Sequence, residues 1–189
     1  MDSSSFFSLN FPLLFCLFCL IAQRLLELRH AEKNRAIALS RGAKEYGANH
    51  YWLFVVLHTA WMLGWLIEGW RTSTDAPLWQ YPAQMLLSLA CLILLVATQG
   101  LRYWAIRSLG EAWNTRILVV PGGKRVVAGP YRYFTHPNYI AVVIELVAVP
   151  LMFGAWKTAL LASIANAIIL LAIRIPAENK AMQEHLHHQ

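Results

Sequence analysis

The sequence predicts an all-α integral membrane protein with about five transmembrane helices, and three observations carry that prediction. Hydrophobic residues make up 58% of the 189 and charged residues only 14%, against about 45–50% and about 25% in soluble domains. A water-soluble chain of this length buries only roughly 70% of its surface, too little to hide that much apolar side chain. The charged residues are also clustered, leaving long stretches without Asp, Glu, Lys or Arg, and the mean hydropathy is +0.45. The missing solvent is lipid.

Taken in order, Ser3 to Gln23, Tyr46 to Ile67 and Ala76 to Leu101 are free of those four residue types. Each is long enough for a bilayer core, which takes about 20 residues, and they give spans at about 6–23, 48–69 and 82–103. Tyr133 to Trp156 is interrupted only by Glu145 and gives a fourth span at 138–155. Thr158 to Ile173, lengthened by the interfacial residues Trp156 and Lys157, gives a fifth at 157–175. The first stretch differs from a secretory signal because Met1–Ser5 carries an acid and no base, while the basic residues follow the apolar run. With no long Gly/Ser or Pro linker and no internal repeat, residues 1–189 read as one membrane domain.

The 16 Lys and Arg set the expected orientation. Arg24 to Lys44 holds six, Arg102 to Arg132 six and the tail from Arg174 two, whereas Arg71 and Lys157 stand alone in the other two connections. The positive-inside tendency then puts the first two segments and the C-terminus in the cytoplasm and the N-terminus outside, in the inner (plasma) membrane if the source is bacterial. The net charge of +6 follows from this topology and from anionic lipid. No nucleic-acid partner is expected, since no stacking platform or recognition helix accompanies the charge. Cys16, Cys19 and Cys91 all fall in apolar spans and read as small apolar filler. His185, His187 and His188 read as a solvated or interfacial tail, and no metal is expected.

Polar residues concentrate in Arg102 to Tyr139, with the tail Arg174 to Met182 as a second cluster on the same expected side. Arg116–Val120 is a short β-capable run, Pro121–Gly123 a turn, and Lys124–Val127 a second extended piece ending at Gly129-Pro130. A small hairpin or re-entrant loop is expected there, folded against the helix ends, because irregular backbone at a membrane needs protein or a water-filled cavity to cover it. Neither GxGxxG after a strand nor GxxxxGK[ST] is present.

The run Gly129-Pro-Tyr-Arg-Tyr-Phe-Thr-His-Pro-Asn-Tyr139, followed by an apolar helix and then Arg174-Ile-Pro-Ala-Glu178, resembles the isoprenylcysteine carboxyl methyltransferase family. Its members, with the related phospholipid methyltransferases, are integral membrane enzymes that use S-adenosyl-L-methionine. The N-terminal stretch Arg24 to Trp61 is further similar to the bacterial branch that includes alkylpyrone and alkylresorcinol O-methyltransferases. The resemblance implies cofactor segments at about 116–139 and 174–182. Within them it implies cofactor contacts from Arg116, Gly123, Lys124, Arg125, Val126, Tyr131, His136, Pro137, Asn138, Tyr139 and Glu178. It also implies that Arg174 is the acceptor-side residue and that Arg174 and Glu178 are the catalytic pair. The sequence departs from the family pattern at Thr135, where Arg usually precedes His-Pro, at Asn179, commonly a second acid, and in the short tail after Met182.

The chemistry of the residues agrees with that assignment. A ligand with a sulfonium, an ammonium, a carboxylate, a ribose diol and an adenine needs at least one acid, one base and an apolar slot, which Glu178, Arg116/Lys124/Arg125 and Tyr131/Tyr139 supply. The residue before proline avoids the α region, and Pro137 suits a first helical turn, where its missing N–H is not needed, so His136 is expected at a helix entry. Arg174 and Glu178, four apart, share a face on an uninterrupted helix, but Pro176 is expected to kink or restart the helix and splay them. An acid inside an apolar span is a functional candidate by default. Glu145 is expected either to serve the cofactor loop or a lipid acceptor as a substrate-binding group, or to bond Asn166 or Thr59; Glu68 is expected to anchor at the interface, and His58 to pair with either acid.

The expected reaction is methyl transfer to an oxygen of a lipophilic acceptor, a carboxylate or an acidic hydroxyl, that enters from the bilayer. The alternative is an NADPH-dependent membrane reductase of the sterol-reductase type, whose C-terminal segments also carry His-Pro-Asn-Tyr. In those reductases Gly-Glu commonly follows at once, whereas here Ile140-Ala141 follow.

Overall fold

The structure is a computed structural model that describes residues 3–75, 81–123 and 126–186, with side chains for 11–73, 81–123 and 126–184. Its helices are α1 (Ser3–Ser40), α2 (Tyr51–Asp75), α3 (Pro82–Leu109), α4 (Pro137–Met152), α5 (Trp156–Ile169) and α6 (Ile175–Leu186), and its two short strands are β1 (Lys44–Tyr46) and β2 (Ile117–Val119). Among the described residues four helical segments are long and apolar enough to cross a membrane, Phe11–Ser40, Ala48–Ser73, Pro82–Ala112 and Trp156–Glu184, and Pro137–Met152 is a shorter apolar helix. The expected all-α membrane class therefore holds, with the fourth element shorter than its neighbours.

Two boundaries differ from the expected spans. The basic segment after residue 23, read as a loop, continues as helix to Ser40. Its Leu, Glu, Arg, Ala and Lys residues are good helix formers, and the Arg24–Glu27 and Glu32–Arg35 ion pairs lie three apart on one face. The fifth span does not break at Pro176 either. Leu170–Arg174 forms a π turn between α5 and α6, and the widened turn absorbs the proline's missing N–H and ring, leaving a continuous rod.

Large apolar side chains cover the outer faces: Phe15 and Phe18 on α1, Leu86 and Val96 on α3, Leu161 and Leu171 at the C-terminal rod, all exposed. The buried core joins Leu13 and Leu20 of α1 to Trp61 and Trp65 of α2, to Leu146 and Val149 of α4 and to Ala162 of α5. Trp65 stacks on Phe153 with centroids 5.5 Å apart, and Trp61 Nε1 donates to the Leu146 carbonyl at 3.1 Å. Gly64 lets α2 approach α5 closely, since a Cβ there would lie 3.0 Å from Thr158 Cγ2.

Glu68, expected as an interfacial anchor, instead caps α5. Its carboxylate accepts from the Lys157 and Thr158 N–H groups at 3.0 and 2.9 Å and from the Thr158 hydroxyl at 2.7 Å. These N–H groups have no partner within their own helix, and an anion at that end also complements the helix dipole.

The second arm of the expected local hairpin includes Lys124 and Arg125, which lie outside the described residues, and among the described residues its first arm pairs elsewhere. The turn closes with Gly123 N–H donating to the Val120 carbonyl at 3.0 Å, but β2 pairs antiparallel with β1, Lys44 opposite Val119 and Tyr46 opposite Ile117. The strand ladder therefore ties the connection after α1 to the connection before α4, and α6 packs on both strands. This brings the two polar clusters of the sequence to one end of the helix bundle.

Candidate functional site

The entry to α4 is built as its sequence requires. Gly129–Arg132 forms a single 3₁₀ turn, and Gly129 takes a φ of 58°, with the Ser108 and Trp104 side chains occupying the space a Cβ would need. Only glycine adopts that backbone readily, so this position sets the loop tightly against α3. Pro137 is buried as the first residue of α4, and His136 precedes it in a non-helical conformation (φ −133°, ψ 65°) without making a side-chain cap bond. The His136 ring instead stacks on Tyr139, with centroids 5.0 Å apart.

Opposite this entry, the π turn presents Arg174 and α6 presents Glu178. The expected splaying does not occur: Arg174 Nε donates to Glu178 Oε1 at 3.0 Å. Arg174 Nε also lies 3.0 Å from the Tyr139 hydroxyl, which itself donates to Glu178, and the second guanidinium nitrogen donates to the Thr115 carbonyl at 3.1 Å. His136 Nδ1 lies 3.6 Å from the other Glu178 oxygen. His136, Tyr139, Arg174 and Glu178, separated by as many as 42 positions, thus form one cluster. Arg174 is committed to Glu178, Tyr139 and Thr115 rather than standing open as an isolated cation.

Arg116 is held from another direction. It donates to Glu45 Oε1 at 2.6 Å and lies over the Tyr51 ring at 4.2 Å. Burial by itself would raise the Glu45 carboxyl, but Arg116 and then Arg35 outweigh it and hold the group below the usual carboxylate range. Burial, followed by the Glu178 charge, pushes the Tyr131 phenol up to about 12, so it stays a neutral donor at physiological pH.

These groups line one cavity of about 600 Å³, which runs from the strand end of the bundle inward along α2. Arg116, Tyr131, His136, Asn138, Tyr139, Arg174 and Glu178 all line it; Gly123, Val126, Pro137 and Glu145 do not, and Lys124 and Arg125 lie outside the described residues. The apolar wall includes Ile21, Leu25, Val55, Met62 and Val142. Among the described residues five that line it carry a buried polar atom with no hydrogen-bond partner: Arg24 and Arg102 (Nε of each), Trp113 (Nε1), Asn138 (Oδ1) and Asn166 (Oδ1).

Glu145 has partners the sequence reading did not name. It is 1% exposed, and its carboxylate accepts from Arg24 at 2.6 Å, from Arg102, and from Gln99 at 3.4 Å. Glu27 in turn accepts from Arg24 at 2.9 Å and Arg102 at 3.4 Å. Neither Asn166 nor Thr59 is its partner: Asn166 Oδ1 is buried without a hydrogen bond. Two arginines and two glutamates from α1, α3 and α4 therefore balance one another in the bundle interior, as buried charges must. His58, expected to pair with an acid, uses Nδ1 on the Phe54 carbonyl at 2.8 Å.

Sequence reasoning missed Arg24, Glu27 and Arg102 because it counted the arginines only as topological charge. The available signal was Glu145 itself, since a lone acid in an apolar span requires a cation from another span. It also missed Tyr51, Trp113 and Thr115, for which an aromatic, an indole and a backbone carbonyl give no sequence signal.

The comparisons with known proteins point the same way. Residues 90–184 match the Isoprenylcysteine carboxyl methyltransferase (ICMT) family. The chain is 41% identical over 166 residues to a Bacillus subtilis (strain 168) protein named "Uncharacterized protein YpbQ", covering 88% of this chain and 94% of that one. It is 27% identical over 165 residues to an "Uncharacterized protein" of Haemophilus influenzae, covering 87% of this chain and 91% of that one. No solved structure matches. The family match spans α4, α5 and α6 together with the loop that carries His136 and Tyr139, the elements that assemble the charged end of the cavity, and the chain belongs to the isoprenylcysteine carboxyl methyltransferase family.

Proposed function

We propose that this protein is an S-adenosyl-L-methionine-dependent O-methyltransferase whose acceptor is an amphiphile entering from the bilayer. The observation that carries the reading is a single cavity with two characters: a charged end at Arg116, His136, Tyr139, Arg174 and Glu178, and an apolar wall at Ile21, Leu25, Val55 and Met62. About 600 Å³ lies within the usual range of roughly 300–1,000 Å³ for small-molecule sites. The orphaned Asn138 Oδ1 and Trp113 Nε1 are one acceptor and one donor in need of a partner, and a polar cofactor with a diol and a purine provides both kinds.

When bound, S-adenosyl-L-methionine supplies an electrophilic methyl group on a sulfonium. Glu178, oriented by Tyr139 and Arg174, is the carboxylate for a cationic ligand group. Arg116, aligned by Glu45 and Tyr51, faces an anionic one. Tyr131 remains a neutral donor, and the His136–Tyr139 stack offers a flat surface to an aromatic ring. The apolar wall receives the acceptor's chain and excludes water. Positioning then does most of the catalytic work, since holding two reactants in line replaces a bimolecular encounter.

The basic ends of α1 and α3 support a cytoplasmic mouth for the cavity and an external N-terminus, and the bacterial origin of both relatives supports an inner-membrane location. The test is transfer of a labelled methyl group to a panel of long-chain carboxylates, phenols and enols by the purified full-length protein. Labelled lipophilic product that disappears in Glu178→Ala supports the reading; no product from any acceptor, with binding of NADPH instead, overturns it.

A further inference from the structure

The end of the bundle opposite the charged cluster holds a second cavity, of about 420 Å³. Ile67, Glu68, Arg71 and Thr72 line it from α2, and Trp156 and Lys157 line it from the start of α5. Tyr51, at the other end of α2, lines the first cavity beneath Arg116. At about 1.5 Å per residue the helix from Tyr51 to Arg71 is about 30 Å long, the thickness of a bilayer's hydrocarbon core. With Tyr51 at one interface, the second cavity therefore lies in the headgroup layer of the other leaflet. Trp156, exposed beside it, is a residue type enriched at that depth.

Arg71 and Lys157 stand alone between apolar stretches of the sequence, yet the fold brings both to this one cavity. Lys157 Nζ lies 5.6 Å from the centroid of the Trp156 ring, which holds the ammonium against a side chain of the cavity wall. Glu68 is the one acid lining the cavity among the described residues, and its carboxylate is engaged by the Lys157 and Thr158 N–H groups and the Thr158 hydroxyl. Two cations and one carboxylate leave a single positive charge over. A ligand with one negative charge balances it, whereas a neutral or zwitterionic one does not. At this depth the membrane itself supplies such a group, the phosphodiester of an anionic phospholipid. The exposed side chain of Ile67, one helical turn inward from Arg71, offers the acyl chains an apolar surface.

We propose that this cavity binds the phosphate of an anionic phospholipid between Arg71 and Lys157. The lipid joins α2 to the start of α5, the same junction that Glu68 caps. The site is separate from the first cavity and does not depend on the methyltransferase reading, so its test uses neither an adenosyl ligand nor a methyl acceptor.

The test is native mass spectrometry of the full-length protein from detergent micelles titrated with phosphatidylglycerol, with phosphatidylcholine of the same acyl chains, or with glycerol phosphate. Wild type retains phosphatidylglycerol more tightly than phosphatidylcholine and does not retain glycerol phosphate at the same concentrations. Arg71→Gln/Lys157→Gln loses one tightly held phosphatidylglycerol, its affinity falling about fivefold for each cation removed near a lipid surface. The exchange variant Arg71→Lys/Lys157→Arg keeps both charges and retains the lipid, which separates loss of charge from loss of fold. Lys33→Gln/Arg107→Gln removes two exposed cations from the other end of the bundle and leaves that lipid's affinity within about twofold of wild type. Unchanged phosphatidylglycerol affinity in Arg71→Gln/Lys157→Gln, an equal loss in Lys33→Gln/Arg107→Gln, or equal retention of phosphatidylcholine by wild type overturns the site. Glycerol phosphate held as tightly as phosphatidylglycerol overturns the lipid as its occupant and assigns the cavity to a soluble phosphate.

Discussion

Replacing Glu145 by glutamine keeps the side chain's volume and removes its charge, leaving Arg24 and Arg102 to share Glu27 alone. Arg102 and Glu145 are 2% and 1% exposed, and Glu145 faces both guanidinium groups, so the Arg102 charge loses its main partner where little water reaches it. Breaking a buried ion pair by removing one partner costs about 3–5 kcal/mol. At about 2–4 °C of Tm per kcal/mol for a chain of this size, the melting temperature should fall by roughly 6–20 °C. The assay is tryptophan fluorescence on heating in detergent, because Trp61 and Trp65 are fully buried and Trp61 bonds the carbonyl of Leu146, the residue next to Glu145. The double variant Arg102→Met/Glu145→Leu should recover most of the loss, since a buried pair replaced by apolar residues of similar volume is often neutral or stabilising by about 1–4 kcal/mol, and Arg24 keeps Glu27. A Glu145→Gln protein that melts within about 2 °C of wild type, the shift expected from less than 1 kcal/mol, would refute the claim that the four charges form one balanced buried network.

Three further outcomes follow from the geometry. Because the folded state holds Glu45 below its usual range through Arg116 and Arg35, the stability it contributes is present above the unfolded value of about 4.3 and is lost as pH falls through the lower folded value; acid titration of Glu45→Gln should show a shallower loss of stability over that window than wild type. Glu68→Ala removes the cap from α5 and should lower Tm by about 2–4 °C, the equivalent of about 1 kcal/mol, read by the same fluorescence melt. Tyr139→Phe deletes the hydroxyl that links Arg174 to Glu178 and should weaken adenosyl-ligand affinity about ten- to a hundredfold, the range of a hydrogen bond to a charged group, as measured by calorimetry.

The features that were legible in the sequence share a cause: each depends on local composition or on a short motif. The uncharged stretches marked the membrane helices because lipid penalises charge, and His136-Pro137 marked a helix entry because proline restricts its predecessor and suits a first turn. What was not legible depends on contacts between distant segments. Ile117–Val119 lies in a β-capable run beside a turn, so it reads as half a hairpin, yet its partner is Lys44–Tyr46, more than seventy positions away. Pro176 reads as a helix break, and only the packed structure shows a π turn taking up the strain. Arg24 and Arg102 flank apolar stretches as topological anchors do, and Glu145 alone hinted that two of them are drawn inward. The charged end of the cavity was legible because His136, Tyr139, Arg174 and Glu178 fall in two motifs, while the inner end was not, because His58 and Asn166 sit singly in otherwise apolar or aromatic runs.

The central claim is that Glu178 and its neighbours hold an adenosyl cofactor, and the most direct test is calorimetric titration of S-adenosylmethionine, S-adenosylhomocysteine and NADPH into detergent-solubilised wild type, His136→Ala and Glu178→Ala. Both adenosyl ligands should bind wild type at micromolar concentration and be lost or sharply weakened in the two variants, with no heat from NADPH. Binding of NADPH without either adenosyl ligand, or adenosyl binding that is unchanged in Glu178→Ala, would contradict it.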